Sequence, residues 1–294
     1  MLKNLNKDIT ISSVIPLYNE SKTLEKVIKI VHSYPYIQEI VAVNDGSTDN
    51  TLELLRRLEK ELPKLRVIDQ QPNQGKAAAV VNGVKNAKGE VIIMTDGDLL
   101  TLKHKHFDSL LEDILSGEYE MTILDKGSDR FSAVGPISYA ITRPLGGERA
   151  FWKKEFLKIP IKGDERYGLE TLMNLYYVDN HKKIKSIYTP DLESVTQLKK
   201  QKNPVTGLFV LAKMVKDMMS VRGVSGYLHQ TVNLEEDRLS KLYNVKEKSK
   251  YKSGKKFLSI IIFSAGMILS ILTFIYLISK NMMNIKKLIK GSKS

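Results

Sequence analysis

Four apolar residues in a row, Val91-Ile92-Ile93-Met94, run straight into Thr95-Asp96-Gly97-Asp98, and this stretch constrains the fold most tightly. A run so short, entered through Lys88-Gly89-Glu90 and without polar alternation, predicts a strand covered on both faces, as in a parallel α/β sheet. Its ending in acid places the carboxylates where the C-terminal ends of such strands open onto a crevice. Two carboxylates one residue apart, with Gly97 between them for close approach, offer hard oxygens suited to Mg2+ or Mn2+ carried by a diphosphate. The competing reading is an acidic turn that closes a strand and binds nothing, since Asp-Gly pairs make turns readily.

The upstream residues repeat one unit. Residues 9–17 read as a strand, Tyr18-Asn19-Glu20-Ser21 as a turn, and Leu24, Val27, Ile28 and Val31 recur at helical spacing. Residues 40–43 form the next strand. It ends in Asn44-Asp45-Gly46-Ser47-Thr48-Asp49-Asn50-Thr51, before a helix marked by Leu52, Leu55 and Leu58. A polar loop at that place suits a nucleotide, with Asp45 accepting from a base or ribose, although N-capping explains residues 47–51 equally well. A third strand over 65–68 leads through Gln71-Pro72-Asn73-Gln74-Gly75-Lys76 to an alanine-rich helix over 77–87. Gly75-Lys76 at a helix start can present N–H groups and an ammonium to phosphate, but the spacing is not that of a Walker loop. Repeated strands and helices with short connections predict an α/β, doubly wound, mostly parallel sheet.

Val14-Ile15-Pro16-Leu17-Tyr18-Asn19-Glu20, the Asn44 to Thr51 loop, Asn73-Gln74-Gly75-Lys76 and Thr95-Asp96-Gly97-Asp98 occur together and in order. The set resembles the inverting glycosyltransferases of family 2, which have the GT-A fold, and within them the polyprenyl- and dolichyl-phosphate sugar synthases. The resemblance implies donor-binding roles for Pro16, Asn19, Glu20, Asp45, Lys76, Asp96 and Gly97. It also implies a metal-binding Asp-x-Asp motif in Asp96 and Asp98, with Asp98 the direct ligand. Asn44 departs from the family, which commonly has a further aspartate there. Near Gly147-Glu148-Arg149 the family has a Gly-x-Arg that faces the acceptor or the diphosphate.

Beyond Asp98, residues 107–115 read as helix, 121–124 as strand and 125–140 as a long loop. Arg143 and Arg149 flank Gly146-Gly147 and can offer guanidinium forks to an acceptor's phosphate; solvated arginines are the plainer reading. Asp164 and Glu165 precede a helix with Leu172, Leu175, Tyr176 and Val178 on one side, and either acid can serve as base if the acceptor is an alcohol. If the acceptor is a lipid phosphate, its second pKa of about 6 leaves no need for a base. Helix capping is the structural alternative for Asp164.

The remaining sequence points to a lipid surface. Leu208, Leu211, Val215, Met218 and Met219 share a helical face among Lys199, Lys200, Lys202, Lys213, Lys216 and Arg222, a basic amphipathic pattern suited to a membrane interface or to packing on the domain. Residues 257–279 hold 23 positions without a charged side chain. As a helix they would extend about 34 Å, enough for a hydrocarbon core of about 30 Å. This organisation predicts a catalytic domain over 1–196, a basic juxtamembrane region over 197–256, a transmembrane helix over 257–279 and a basic tail over 280–294. Lysines flank the helix on both sides, so charge does not set its orientation. A polar start without a signal-like apolar run suggests a cytoplasmic catalytic domain at the cell membrane. His229 is a lone histidine, better read as structural than as a metal ligand.

Lysine and arginine exceed the acids by 46 to 33, a net charge of +13, which favours anionic partners. No aromatic-interleaved basic motif supports nucleic acid as one of them. With no cysteine, disulfides and thiolate metal sites are excluded. The sequence thus predicts transfer from a nucleotide-diphospho-sugar, UDP favoured over GDP, to a membrane polyprenyl or dolichyl phosphate. The alternatives are a soluble or polysaccharide acceptor with the helix as anchor only, and a non-catalytic membrane-tethered module that binds nucleotide-sugar.

Overall fold

The computed structural model describes residues 9–126, 146–163, 165, 168–195 and 221. The first half alternates strictly: β1 (Ile11–Leu17), α1 (Leu24–Ser33), β2 (Glu39–Asp45), α2 (Thr51–Glu61), β3 (Leu65–Gln70), α3 (Lys76–Asn86) and β4 (Val91–Met94). Then follow α4 (His104–Leu115), β5 (Met121–Asp125), β6 (Arg149–Trp152), α5 (Lys153–Phe156), α6 (Leu169–Asp179) and β7 (Ile184–Tyr188).

These strands form one seven-stranded sheet in the order β3-β2-β1-β4-β6-β5-β7. All pairings are parallel except those of β6, which runs antiparallel to β4 and β5. The expected α/β, mostly parallel sheet is therefore present. All four residues of β4 are buried, as an apolar run covered on both faces requires. The reversal of β6 matters for function, because its first residue, Arg149, lies opposite Met94, the last residue of β4. The segment feeding β6 thereby reaches the sheet edge where the acids of β4 emerge.

Burial follows the sequence pattern in the first half. Leu24, Val27, Ile28 and Val31 of α1 are fully buried against the sheet, each such side chain contributing about 1.5–3 kcal/mol. The alanine-rich α3 lies closer still: a Cβ on Gly83 would stand 2.5 Å from Val14 Cγ1, so only a glycine admits that approach.

In α6 the expected face is wrong. Leu175 is buried, but Leu172, Tyr176 and Val178 are only partly so, and the buried side includes Glu170, Thr171 and Asn174. Glu170 and Asn174 turn inward there because they meet the charged groups of Lys76 and Arg149. Apart from Val221, the basic amphipathic region lies outside the described residues, as do the expected membrane span and His229. Among the described residues no helix is long and apolar enough to cross a membrane.

Candidate active site

On the β3-β2-β1 side, short polar side chains stitch loop to loop. Asn19, at φ 57°, accepts from the Thr48 N–H (2.8 Å) and the Asp49 N–H (3.3 Å), while its own N–H donates to Ser47 Oγ at 3.0 Å. The Glu20 N–H donates to Thr51 Oγ1 at 2.9 Å, which joins the same two loops a residue later. Asp45, 3% exposed, accepts three bonds at 2.8 Å: from Gln70 Nε2 and the Gln74 N–H on Oδ1, and from the Gly75 N–H on Oδ2. Its carboxylate therefore braces the turn before α3, where sequence reasoning has it holding base or ribose. Asn44, at the family's departure, donates to Asp69 Oδ1 at 2.8 Å and so ties β2 to β3. Pro16 sits in β1 opposite Val43, partly exposed near the strand's end.

Across β4 the contacts are between charges. Asp96 and Asp98 are both partly exposed just past the strand, with buried Gly97 between them. Lys76, the first residue of α3, places its ammonium 2.9 Å from Asp96 Oδ1 and 2.9 Å from Glu170 Oε1. Burial alone would lower the pKa of Lys76, but Asp96 and Glu170 outweigh it and hold the ammonium above its ordinary value. The expectation that this ammonium is offered to phosphate meets a lysine already shared between two acids.

A second lysine flanks the pair from the other side. Lys126, just after β5, lies 2.9 Å from Glu148 Oε1 and donates to Ser194 Oγ at 3.2 Å. Burial opposes its charge, yet Glu148, Asp96 and Asp98 together raise its pKa. Glu148 is 2% exposed, and that burial pushes its carboxyl up to about 7 despite the lysine.

Arg149 is fully buried. Its guanidinium donates to the Gly146 carbonyl through Nε (3.0 Å) and Nη2 (2.6 Å), and to Asn174 Oδ1 through Nη1 (3.0 Å). The expected fork toward a ligand phosphate is thus turned inward, where it shapes the Gly146-Gly147 turn and docks α6. Gly147 packs against the acid pair so closely that a Cβ there would stand 2.2 Å from Asp96 Oδ2.

Glu165 is also turned to local use, accepting from the Lys162 and Gly163 N–H groups at 2.5 and 2.7 Å. Arg143 and Asp164 lie outside the described residues. The structure therefore gathers Lys76, Asp96, Gly97 and Asp98 at one edge and adds three residues to which sequence reasoning gives no role of their own: Lys126, Glu148 and Glu170. For Glu170 a signal existed, since Glu170 and Asn174 stand one helical turn apart on what then becomes a polar inner face. For Lys126 none did.

Among the described residues no cluster of three or more His, Asp or Glu surrounds a common point, so Asp96 and Asp98 offer an incomplete shell. That donor set fits Mg2+ or Mn2+, which commonly take one or two carboxylates and leave their other positions to phosphate and water.

The chain is 37% identical over 112 residues to a dolichyl-phosphate beta-glucosyltransferase of Trichomonas vaginalis, a match covering 35% of this chain and 33% of that protein. It is 37% identical over 98 residues to a dodecaprenyl-phosphate galacturonate synthase of Rhizobium johnstonii, covering 32% and 29%. The chain thus spans about a third of the length of the curated relatives it matches. Among solved structures it is similar to glucosyl-3-phosphoglycerate synthase of Mycobacterium tuberculosis, crystallised with Mn2+, UDP and phosphoglyceric acid. That match has a TM-score of 0.54 and 20% identity over 72% of this chain and 79% of the other, a likeness of fold. The model of glycosyl transferase family 2 matches residues 12–162, just over half of the chain, which belongs to that family.

Proposed function

We propose that the chain is an inverting glycosyltransferase that moves a hexose or N-acetylhexosamine from a nucleotide-diphospho-sugar, UDP favoured over GDP, to a membrane polyprenyl or dolichyl phosphate. The observation that carries this reading is the acid pair Asp96 and Asp98, open at the end of β4 and flanked by the ammonium groups of Lys76 and Lys126. Such an edge suits a diphosphate bridged to the protein by a divalent cation. Mg2+ or Mn2+, held by Asp98 with Asp96 beside it, would supply positive charge to the departing diphosphate. The loops braced by Asn19 and Asp45 would hold the nucleotide, with Pro16 and Glu20 beside it. Arg149 shapes the turn that walls the acid pair, a positioning role. Because a phosphate acceptor is already anionic, Glu165 is not required as base, which agrees with its carboxylate being committed to the 162–163 backbone.

Similarity to the two lipid-phosphate sugar transferases supports the acceptor class. The uncharged stretch over 257–279 supports a single C-terminal span; a catalytic domain at the cytoplasmic face is part of the same proposal. Incubating membranes that contain the protein with labelled UDP- and GDP-sugars and dolichyl phosphate should label the lipid. Transfer to a soluble or polysaccharide acceptor, with none to lipid across the donor panel, would overturn the acceptor assignment. Absence of any donor turnover would leave the non-catalytic binding module.

A further inference from the structure

We propose that Glu170 is a positioning residue for the acid pair: it shares the Lys76 ammonium with Asp96 and takes it over when a divalent ion and diphosphate arrive. The inference rests on the metal-dependent reading above and adds to it how Asp96 becomes available.

The ammonium stands 2.9 Å from both carboxylates, so neither owns it. The two acids differ in surroundings, the Glu170 side chain being 7% exposed and that of Asp96 23%. A buried carboxylate depends more on its counter-charge than one in contact with water. The other buried cation nearby, Arg149, directs its N–H groups to Gly146 and Asn174 and gives Glu170 only a through-space field. Lys76 is therefore the ion-pair partner of Glu170 among the described residues. The handover needs no backbone movement, because a lysine has three donors on a flexible stem and both its acceptors are already within reach. Without Glu170, Lys76 would fall wholly to Asp96, and a carboxylate neutralised by an ammonium is a poorer partner for a divalent ion.

The test is a double-mutant cycle on the full-length protein, reading Mn2+ affinity by electron paramagnetic resonance at saturating UDP. Glu170→Gln should weaken Mn2+ binding about tenfold, the scale of a partly buried ion pair, and in a Lys76→Gln background the same change should cost less than about twofold. Glu170→Asp, which keeps the charge but shortens the reach, should weaken Mn2+ in the same direction; it also serves if the Gln variant does not fold. An equal loss from Glu170→Gln in both backgrounds, or no effect of Glu170→Asp, would show that only through-space charge acts and would overturn the proposal. If the unaltered protein binds no Mn2+ with UDP, both this inference and the proposed function fall. Normal Mn2+ binding with an additive cycle removes the inference alone.

Discussion

On the β3-β2-β1 side of the sheet, Asn19 and Asp45 spend their oxygens on backbone N–H groups of neighbouring loops, whereas across β4 the side chains meet one another as charges. The two constructions behave differently when something binds. A carboxylate holding backbone donors fixes a loop whether or not a ligand is present, and its loss is felt as stability. Lysines shared among acids form a set of charges that a cation or a phosphate can re-sort, so their loss is felt first in binding. One half of the edge is scaffold; the other is where chemistry has to happen.

The largest effects should separate the halves. Asp98→Ala is expected to reduce sugar transfer by at least about 100-fold, the scale seen when one preorganised electrostatic group is removed. Asp98 is partly exposed, so the melting temperature should move by less than about 2 °C. Asp45→Ala should do the reverse. It removes three hydrogen bonds from a buried carboxylate and should cost about 2–3 kcal/mol in urea unfolding. If Asp45→Ala folds as stably as the parent but loses nucleotide, the scaffold assignment is wrong and Asp45 is a direct contact.

That division also explains what could be read from sequence. Each loop on the scaffold side is a local event: a strand ends, polar residues follow, a helix begins, and the cues lie within ten residues of one another. Asp96 and Asp98 were legible for the same reason, since an apolar strand ending in acid is a contiguous signal. Lys126, Glu148 and Glu170 come from the end of β5, the entry to β6 and the first turn of α6, brought together only because β6 reverses direction. No spacing encodes that reversal. Arg149 shows the same limit from the other side, because a Gly-Gly-Glu-Arg segment suggests a ligand fork until its register opposite Met94 turns the guanidinium inward.

The charged half should also respond to pH. Glu148 has a carboxyl raised by burial from 4.5 to about 7. Between those values the folded chain binds the proton more tightly than the unfolded one. Its contribution is therefore complete below about pH 4.5, declines as pH rises, and is lost above about 7. Glu148→Gln cannot titrate. Relative to it, the parent should lose about 2 kcal/mol of unfolding free energy between pH 5 and 7.5. A constant difference across that range would mean that Glu148 stays ionised throughout, its charge held by Lys126.

The smallest expected effects come from two glycines on opposite sides of the acid pair. A Cβ on Gly97 would stand 2.2 Å from Leu17 Cδ2, and one on Gly147 would stand 2.2 Å from Asp96 Oδ2. The crowding is equal in distance and opposite in kind. Gly97→Ala presses on a buried apolar side chain and should cost about 1–2 kcal/mol of stability. Gly147→Ala presses on the far end of a partly exposed carboxylate that can swing away, so stability should change by less than about 1 kcal/mol. The swing takes Asp96 out of line with Asp98 and should weaken Mn2+ binding in the presence of UDP about tenfold, or ~1.4 kcal/mol. Calorimetric melting and Mn2+ titration of both variants decide the matter. If Gly147→Ala lowers the melting temperature markedly while keeping its metal affinity, the 146–148 turn belongs to the scaffold, and the boundary between the two constructions lies beyond β4 rather than along it.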